Sequence, residues 1–162
     1  MKRLRGGAAL LVAATLTACA PDAAQTPAPV PANVVAVVDG DTIDVAIDSR
    51  TVRVRLIGID SPEIGRGGEA SECYADQARD FLDDLLYGTT VQLISDPSQG
   101  DQDRYGRLLR HVFIDGKDAA ELAIRDGYGT EYTHDTPYLT QESHQVAQRA
   151  AAAARAGLWN EC

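Results

Sequence analysis

Between Val35 and Leu56 apolar and polar residues alternate in three short runs, marked by Val35 and Val37, by Ile43, Val45 and Ile47, and by Val52, Val54 and Leu56. A period of two places each set on one face of a pleated strand, so this part of the chain has to form a sheet with a buried side. Asp39-Gly40-Asp41 between the first two runs is a hairpin turn signal, and a second turn falls near Asp48-Ser49-Arg50. The third strand must end before Gly58-Ile59-Asp60-Ser61-Pro62, because proline lacks a ladder donor and turns the residue before it away from helix.

Ala78, Phe81, Leu82, Leu85 and Leu86 recur at helical spacing, which predicts a helix over 70–87 stopped by Gly88. Two further strands are expected over 91–94 and 108–114, separated by a polar loop. A short helix is expected over 119–126, and a last one from Pro137 to about residue 156, with Gly157 beyond its end. Three strands, a helix, two strands and closing helices predict an α+β domain dominated by a Greek-key barrel. The five-stranded OB barrel with about three packed helices is the natural form.

The first residues have a different character. Lys2, Arg3 and Arg5 precede an apolar run over 8–18 that is too short to span a bilayer, the pattern of an export signal. The run ends in Leu16-Thr17-Ala18-Cys19, which resembles the lipobox of bacterial lipoprotein signal peptides; the resemblance implies cleavage before Cys19 and lipid on its sulfur. An ordinary secretory signal is the competing reading. Residues 20–31 contain four prolines and few large apolar side chains, so they read as an extended tether. The expected organisation is a signal over 1–18, a tether over 19–32 and one domain over 33–162. The protein is expected outside the cytoplasm, held to a bacterial membrane through Cys19, periplasmic or at the cell surface. No protein partner is inferred, and a monomer is expected. Cys73 and Cys162 remain as an even pair in a compartment that permits disulfides.

Without the signal the chain keeps 12 of its 15 basic residues and all 24 acidic ones, a formal charge of −12. That is the wrong sign for a protein that holds polyanions by a broad basic face. Any contact with nucleic acid must be local and assisted by a cation.

Charge is concentrated in four segments: Asp39-Gly40-Asp41-Thr42, Arg53-Val54-Arg55-Leu56, Asp60-Ser61-Pro62-Glu63 and Arg104-Tyr105-Gly106-Arg107. Singly, the first is only a turn and the third only a helix cap. Together, in this order and spacing, with Asp103 before Arg104 and Gly157-Leu158-Trp159 near the end, they resemble the thermonuclease family, the group typified by staphylococcal nuclease. The likeness runs from Val34 to Trp159. It implies an OB barrel, calcium as cofactor, and endonucleolytic hydrolysis of DNA and RNA leaving 3′-phosphates.

The resemblance assigns the calcium carboxylates to Asp41 and Asp60, the carbonyl ligand to Ser61, the active-site glutamate to Glu63, and the phosphate-binding arginines to Arg55 and Arg107. These residue types suit the chemistry. Calcium takes oxygen ligands, a carboxylate can accept a proton from an attacking water, and the planar fork of arginine matches phosphate oxygens. Tyr105 is a candidate substrate contact. Asp39 reads as a turn residue and Arg53 as an ion-paired one. The family's base-stacking tyrosine aligns with Thr133, with Tyr132 one place away, and the loop after Glu63 carries a single basic residue, Arg66. His111, His134 and His144 share no metal-ligand spacing and are read as surface or packing residues. The competing reading is a non-catalytic OB-type nucleic-acid-binding lipoprotein; a third is a structural lipoprotein whose loops calcium orders.

Overall fold

Strand β1 (Val30–Asp39) is the hub of the sheet. It pairs antiparallel with β2 (Thr42–Ile47) along its second half and with β5 (Thr90–Ile94) along its first. Strand β3 (Arg50–Leu56) continues the meander beyond β2. On the far side β6 (Leu108–Ile114) pairs antiparallel with β5 and parallel with β3, and this last pairing closes a five-stranded barrel. A computed structural model describes residues 27–162; the signal, Cys19 and most of the tether lie outside the described residues.

Alternation explains the barrel interior. Val34, Ile43, Val45, Val54, Leu56, Val91, Leu93 and Val112 point inward and are buried, one face of each strand. Leu82 and Leu86 of α1 (Ala75–Leu86) and Ala123 and Ile124 of α2 (Ala119–Arg125) are buried in the same cluster. Helix α3 (Gln141–Ala154) packs on α2, and α4 (Leu158–Glu161) ends the chain. Short strands β4 (Ile59–Asp60) and β8 (Thr130–Glu131) pair with each other, and β7 (Lys117–Asp118) hairpins back on β6. These two-residue strands and α4 were too short to carry a periodic signal.

Several expected boundaries move. Val35 is exposed rather than inward, because a register shift between Val34 and Ala36 puts Ala32 and Val34 on the core side. Strand β1 begins at Val30, inside the proline-rich stretch read as tether. Val30 to Ala32 pair only with β5, so Pro31 sits where one side of the strand needs no ladder donor. Helix α1 begins at Ala75 instead of residue 70. Tyr74 is left-handed at φ 72°, and Cys73 just before it is bonded to Cys162, with Cα atoms 5.9 Å apart. Helix α3 begins at Gln141, not Pro137. Tyr138 is turned into the protein, and the Leu139 N–H is taken by Asp96 Oδ2 at 2.8 Å.

Asp96 thus ties the loop after β5 to the entry of α3. It also accepts from the Ser98 N–H and hydroxyl and lies 3.1 Å from His111 Nε2. Burial pushes its carboxyl up, but the Leu139 N–H, His111 and Ser98 outweigh it and leave it below the usual range. A carboxyl depressed in the folded state contributes stability above its unfolded pKa, and that stability is lost as pH falls through the folded value. Asp96→Asn is therefore expected to cost roughly 1.5–3 kcal/mol at pH 7 and less at pH 3. Thermal melting across that range checks this; an equal penalty at both ends would refute the assignment.

Candidate active site

The site lies where the β1–β2 hairpin meets the turn between β3 and β4. Asp39 pairs with Thr42 across a two-residue turn of Gly40 and Asp41. Gly40 is needed for space: a Cβ there would lie 2.7 Å from the Ala78 Cβ and 2.8 Å from the Ser61 Cβ and Oγ. That close approach brings Ser61 over the hairpin, and its N–H donates to Asp41 Oδ2 at 3.1 Å. The other Asp41 oxygen accepts from the Thr42 hydroxyl at 2.9 Å. Asp41 is only 2% exposed.

Arg55, one residue from the end of β3, is the central cation. Nη2 lies 3.0 Å from Asp41 Oδ2 and 3.2 Å from Asp60 Oδ1. Nη1 donates to the carbonyls of Leu56, at 2.8 Å, and Ile59, at 2.6 Å. The side chain is 13% exposed, so its charge is weakly screened. Arg107, in the turn before β6, donates from Nε to Asp103 Oδ2 at 2.5 Å, and its Nη1 lies 3.4 Å from Thr42 Oγ1. Tyr105 is 68% exposed, with the Arg104 and Arg107 guanidiniums 4.7 and 5.5 Å from its ring centre.

Arg55, Asp60, Glu63, Tyr105 and Arg107 line one open groove of about 860 Å³. Glu63 also faces an adjoining hollow of about 380 Å³, with Asp39, Arg53, Arg66 and Arg107. Residues far apart in the chain are thereby brought together: Asp41, Arg55, Asp60, Ser61, Glu63, Tyr105 and Arg107 form one locus. Arg53 is held across the ladder by Asp44, at 2.8 and 2.9 Å. Cys73 and Cys162 lie away from the groove, and Cys19 is outside the described residues.

The negative groups are crowded. Burial first, then Asp41, pushes the Asp39 carboxyl up to about 6. Burial raises Asp60 as well, with Arg55 opposing, and burial followed by Asp41 raises Glu63. Arg66 Nη2 reaches Asp39 only at 3.4 Å. Ser61 Oγ is buried with no hydrogen-bond partner among the described residues. Among those residues no three His, Cys, Asp or Glu side chains converge on a metal position. The oxygen-rich, under-neutralised pair Asp41 and Asp60 nonetheless fits a hard divalent cation completed by main-chain oxygen and water.

Four site residues escaped the sequence reading. Asp103 was within sight, four residues before Arg107 in the same motif; it orients the arginine, and burial's upward push on its carboxyl is outweighed by Arg107 and by N–H donors. Arg66 reads in the sequence only as the single basic residue of its loop. Tyr138 and His144 carried no signal, because their contacts to Gly58 span 80 and 86 residues. Tyr132 lines the groove, while Thr133, the position that aligns with the family's tyrosine, is hydrogen-bonded to Glu131 and Gln141.

Residues 53–161 match the family model described as staphylococcal nuclease homologue. The chain is 31% identical over 127 residues to a thermonuclease of Staphylococcus hyicus, covering 78% of this chain and 74% of the relative. It is 33% identical over 129 residues to an Escherichia coli protein described as an uncharacterized endonuclease, covering 79% and 76%. To a micrococcal nuclease of Shigella flexneri it is 36% identical over 116 residues, covering 72% and 57%. With the OB-type barrel and the clustered acids and arginines already in place, this chain belongs to the staphylococcal nuclease homologue family.

Proposed function

We propose that this protein is a calcium-dependent endonuclease that hydrolyses phosphodiester bonds of DNA and RNA to leave 3′-phosphates. The observation that carries the reading is the convergence of Arg55, Asp60, Glu63 and Arg107 on one groove, with Asp41 buried against Arg55. Arg107, its Nε held by Asp103, presents its remaining donors to a phosphate; Arg55 approaches from the opposite strand. Glu63 takes the proton of the attacking water as its oxygen bonds to phosphorus. The P–O bond to the 5′ carbon's oxygen breaks, and the departing oxygen gains a proton from solvent. The five-coordinate transition state carries extra negative charge, which the two guanidiniums meet in a partly buried setting. Calcium bound by Asp41, Asp60 and the Ser61 carbonyl would polarise a phosphate oxygen and offset the acidity of the locus.

Purified protein is expected to cut single-stranded DNA with calcium, to stop with chelator, and to lose about 10²- to 10⁴-fold in kcat as Glu63→Gln. DNA left intact by folded, calcium-loaded protein would sink the enzyme reading in favour of a binding module. Among the described residues no helix is long and apolar enough to cross a membrane. We further propose that lipid on Cys19 holds the chain at an extracytoplasmic membrane face, supported by the residues before that cysteine. Cys19→Ser should move the protein from the membrane to the soluble fraction; unchanged fractionation would refute the anchor.

A further inference from the structure

The carbonyl of Gly58 is approached by three polar groups. The Tyr132 N–H donates to it at 3.1 Å, the Tyr138 hydroxyl lies 3.2 Å away, and His144 Nδ1 lies 3.2 Å away. Gly58 is the apex of the turn between β3 and β4, at φ 84°, and a Cβ there would fall 2.4 Å from the Tyr138 ring and 2.6 Å from His144 Nδ1. Both rings are therefore seated directly on the glycine. From the other side, Arg55 Nη1 holds the Leu56 and Ile59 carbonyls of the same turn, and Asp60 and Ser61 follow at once.

The gripping side chains are themselves fixed by a buried network. His144 Nε2 lies 3.0 Å from Asp118 Oδ2 and 3.1 Å from Thr140 Oγ1. Asp118 Oδ1 caps α2 by accepting the Ala120 N–H. Thr140 Oγ1 reaches His111 Nδ1 at 3.3 Å, and His111 is held by Asp96, which also takes the Leu139 N–H beside Tyr138. The Tyr138 hydroxyl also lies 3.0 Å from Glu131 Oε1, in the strand paired with β4. Burial, and then Glu131, pushes that hydroxyl's pKa well up and keeps it protonated, its one hydrogen shared between the Gly58 and Glu131 oxygens. His111, His144, Asp96, Asp118 and Tyr138 are all buried. An apolar cluster of the same volume would serve stability at least as well. What a satisfied polar network adds is a single orientation.

We propose that Tyr138 and His144 are positioning residues: by fixing the Gly58 carbonyl they set where Arg55 and the Asp60-Ser61 segment stand relative to Asp41. The catalytic consequence rests on the nuclease reading; the geometric one does not. The Ser61 N–H, bonded to Asp41 Oδ2, reports that geometry directly.

The test uses the full chain and its Tyr138→Phe, His144→Gln and His144→Leu variants. Tyr138→Phe keeps the ring and removes the hydroxyl; glutamine retains a donor that leucine lacks. Native-state hydrogen exchange at Ser61 should accelerate at least tenfold in Tyr138→Phe and His144→Leu, while the β5 amides change little, and glutamine should recover part of the protection. Calcium affinity by titration calorimetry should weaken severalfold in step. Cleavage should lose about 10- to 100-fold in kcat with KM within a factor of two, the signature of misplacement rather than lost binding. Equal acceleration of all amides, or a lower melting temperature with Ser61 exchange and calcium affinity unchanged, would overturn the proposal. A wild-type chain that does not cut DNA overturns the nuclease reading alone, since exchange at Ser61 still decides the positioning role.

Discussion

Arg107→Ala is expected to lower kcat by about 10²- to 10³-fold, with a smaller change in KM. Arg107 faces the groove beside Glu63 and Tyr105, and its Nε is committed to Asp103. Its remaining donors are therefore aimed before substrate arrives, with no reorganisation needed as charge builds on the phosphoryl oxygens. Exposure of 27% means that water screens it only in part. Lysine should not restore the rate, because it supplies a point charge and no Nε for Asp103 to hold. Asp103→Asn should act in the same direction with a smaller loss, since it loosens the aim and leaves the charge. Kinetics on a defined oligonucleotide at saturating calcium provide the check. A loss below about threefold in Arg107→Ala would remove Arg107 from the transition state, because a single lost stabilising donor is worth about 2.7–4 kcal/mol.

Reducing the Cys73–Cys162 bond is expected to destabilise the domain by roughly 4 to 5 kcal/mol in the chain-entropy model, for a sequence separation of 89 residues. The bond ties Cys73, two residues before α1, to the last residue, so about two thirds of the described chain, everything after β4 and the loop that follows it, lies inside the closed loop. Its removal enlarges the unfolded ensemble more than it disturbs the native one. Independent contacts keep the C-terminus docked: the Leu158 N–H donates to the Gly127 carbonyl at 2.9 Å, and a Cβ on Gly127 would collide with Ala156. The Cys73→Ser, Cys162→Ser double variant should thus fold, melt roughly 15 °C lower, and cut DNA at a near-normal rate at 25 °C. A melting temperature within a few degrees of the parent would show that the unfolded chain is already constrained without the bond.

Local pattern carried most of the barrel. Strand β6 falls on the expected residues, and both hairpin turns sit where Asp-Gly and Asp-Ser placed them, because alternation and turn chemistry act within a few residues. The failures are of a different kind. Helix α3 starts four residues late because Asp96, some forty residues earlier, captures the Leu139 N–H. Val35 leaves the core because a bulge resets the pleat, which depends on both neighbouring strands. His111 and His144 read as bland packing residues, and no property of their surroundings in sequence reveals that they share Asp118 and Thr140.

For the site, the order and spacing of four short charged segments, through their resemblance to a nuclease family, selected Asp41, Arg55, Asp60, Ser61, Glu63, Tyr105 and Arg107; oxygen donors and planar cations suit the chemistry the resemblance implies. How they stand together is a tertiary matter. The barrel closure of β3 on β6 brings Arg55 and Arg107 to one groove. The missing Cβ of Gly40 lets Ser61 reach Asp41. Asp103, Tyr138 and His144 then hold the aim. Chemistry is written in single residues and can be read along the chain; orientation comes from pairs of groups separated by up to 86 residues, and only the folded chain makes them neighbours.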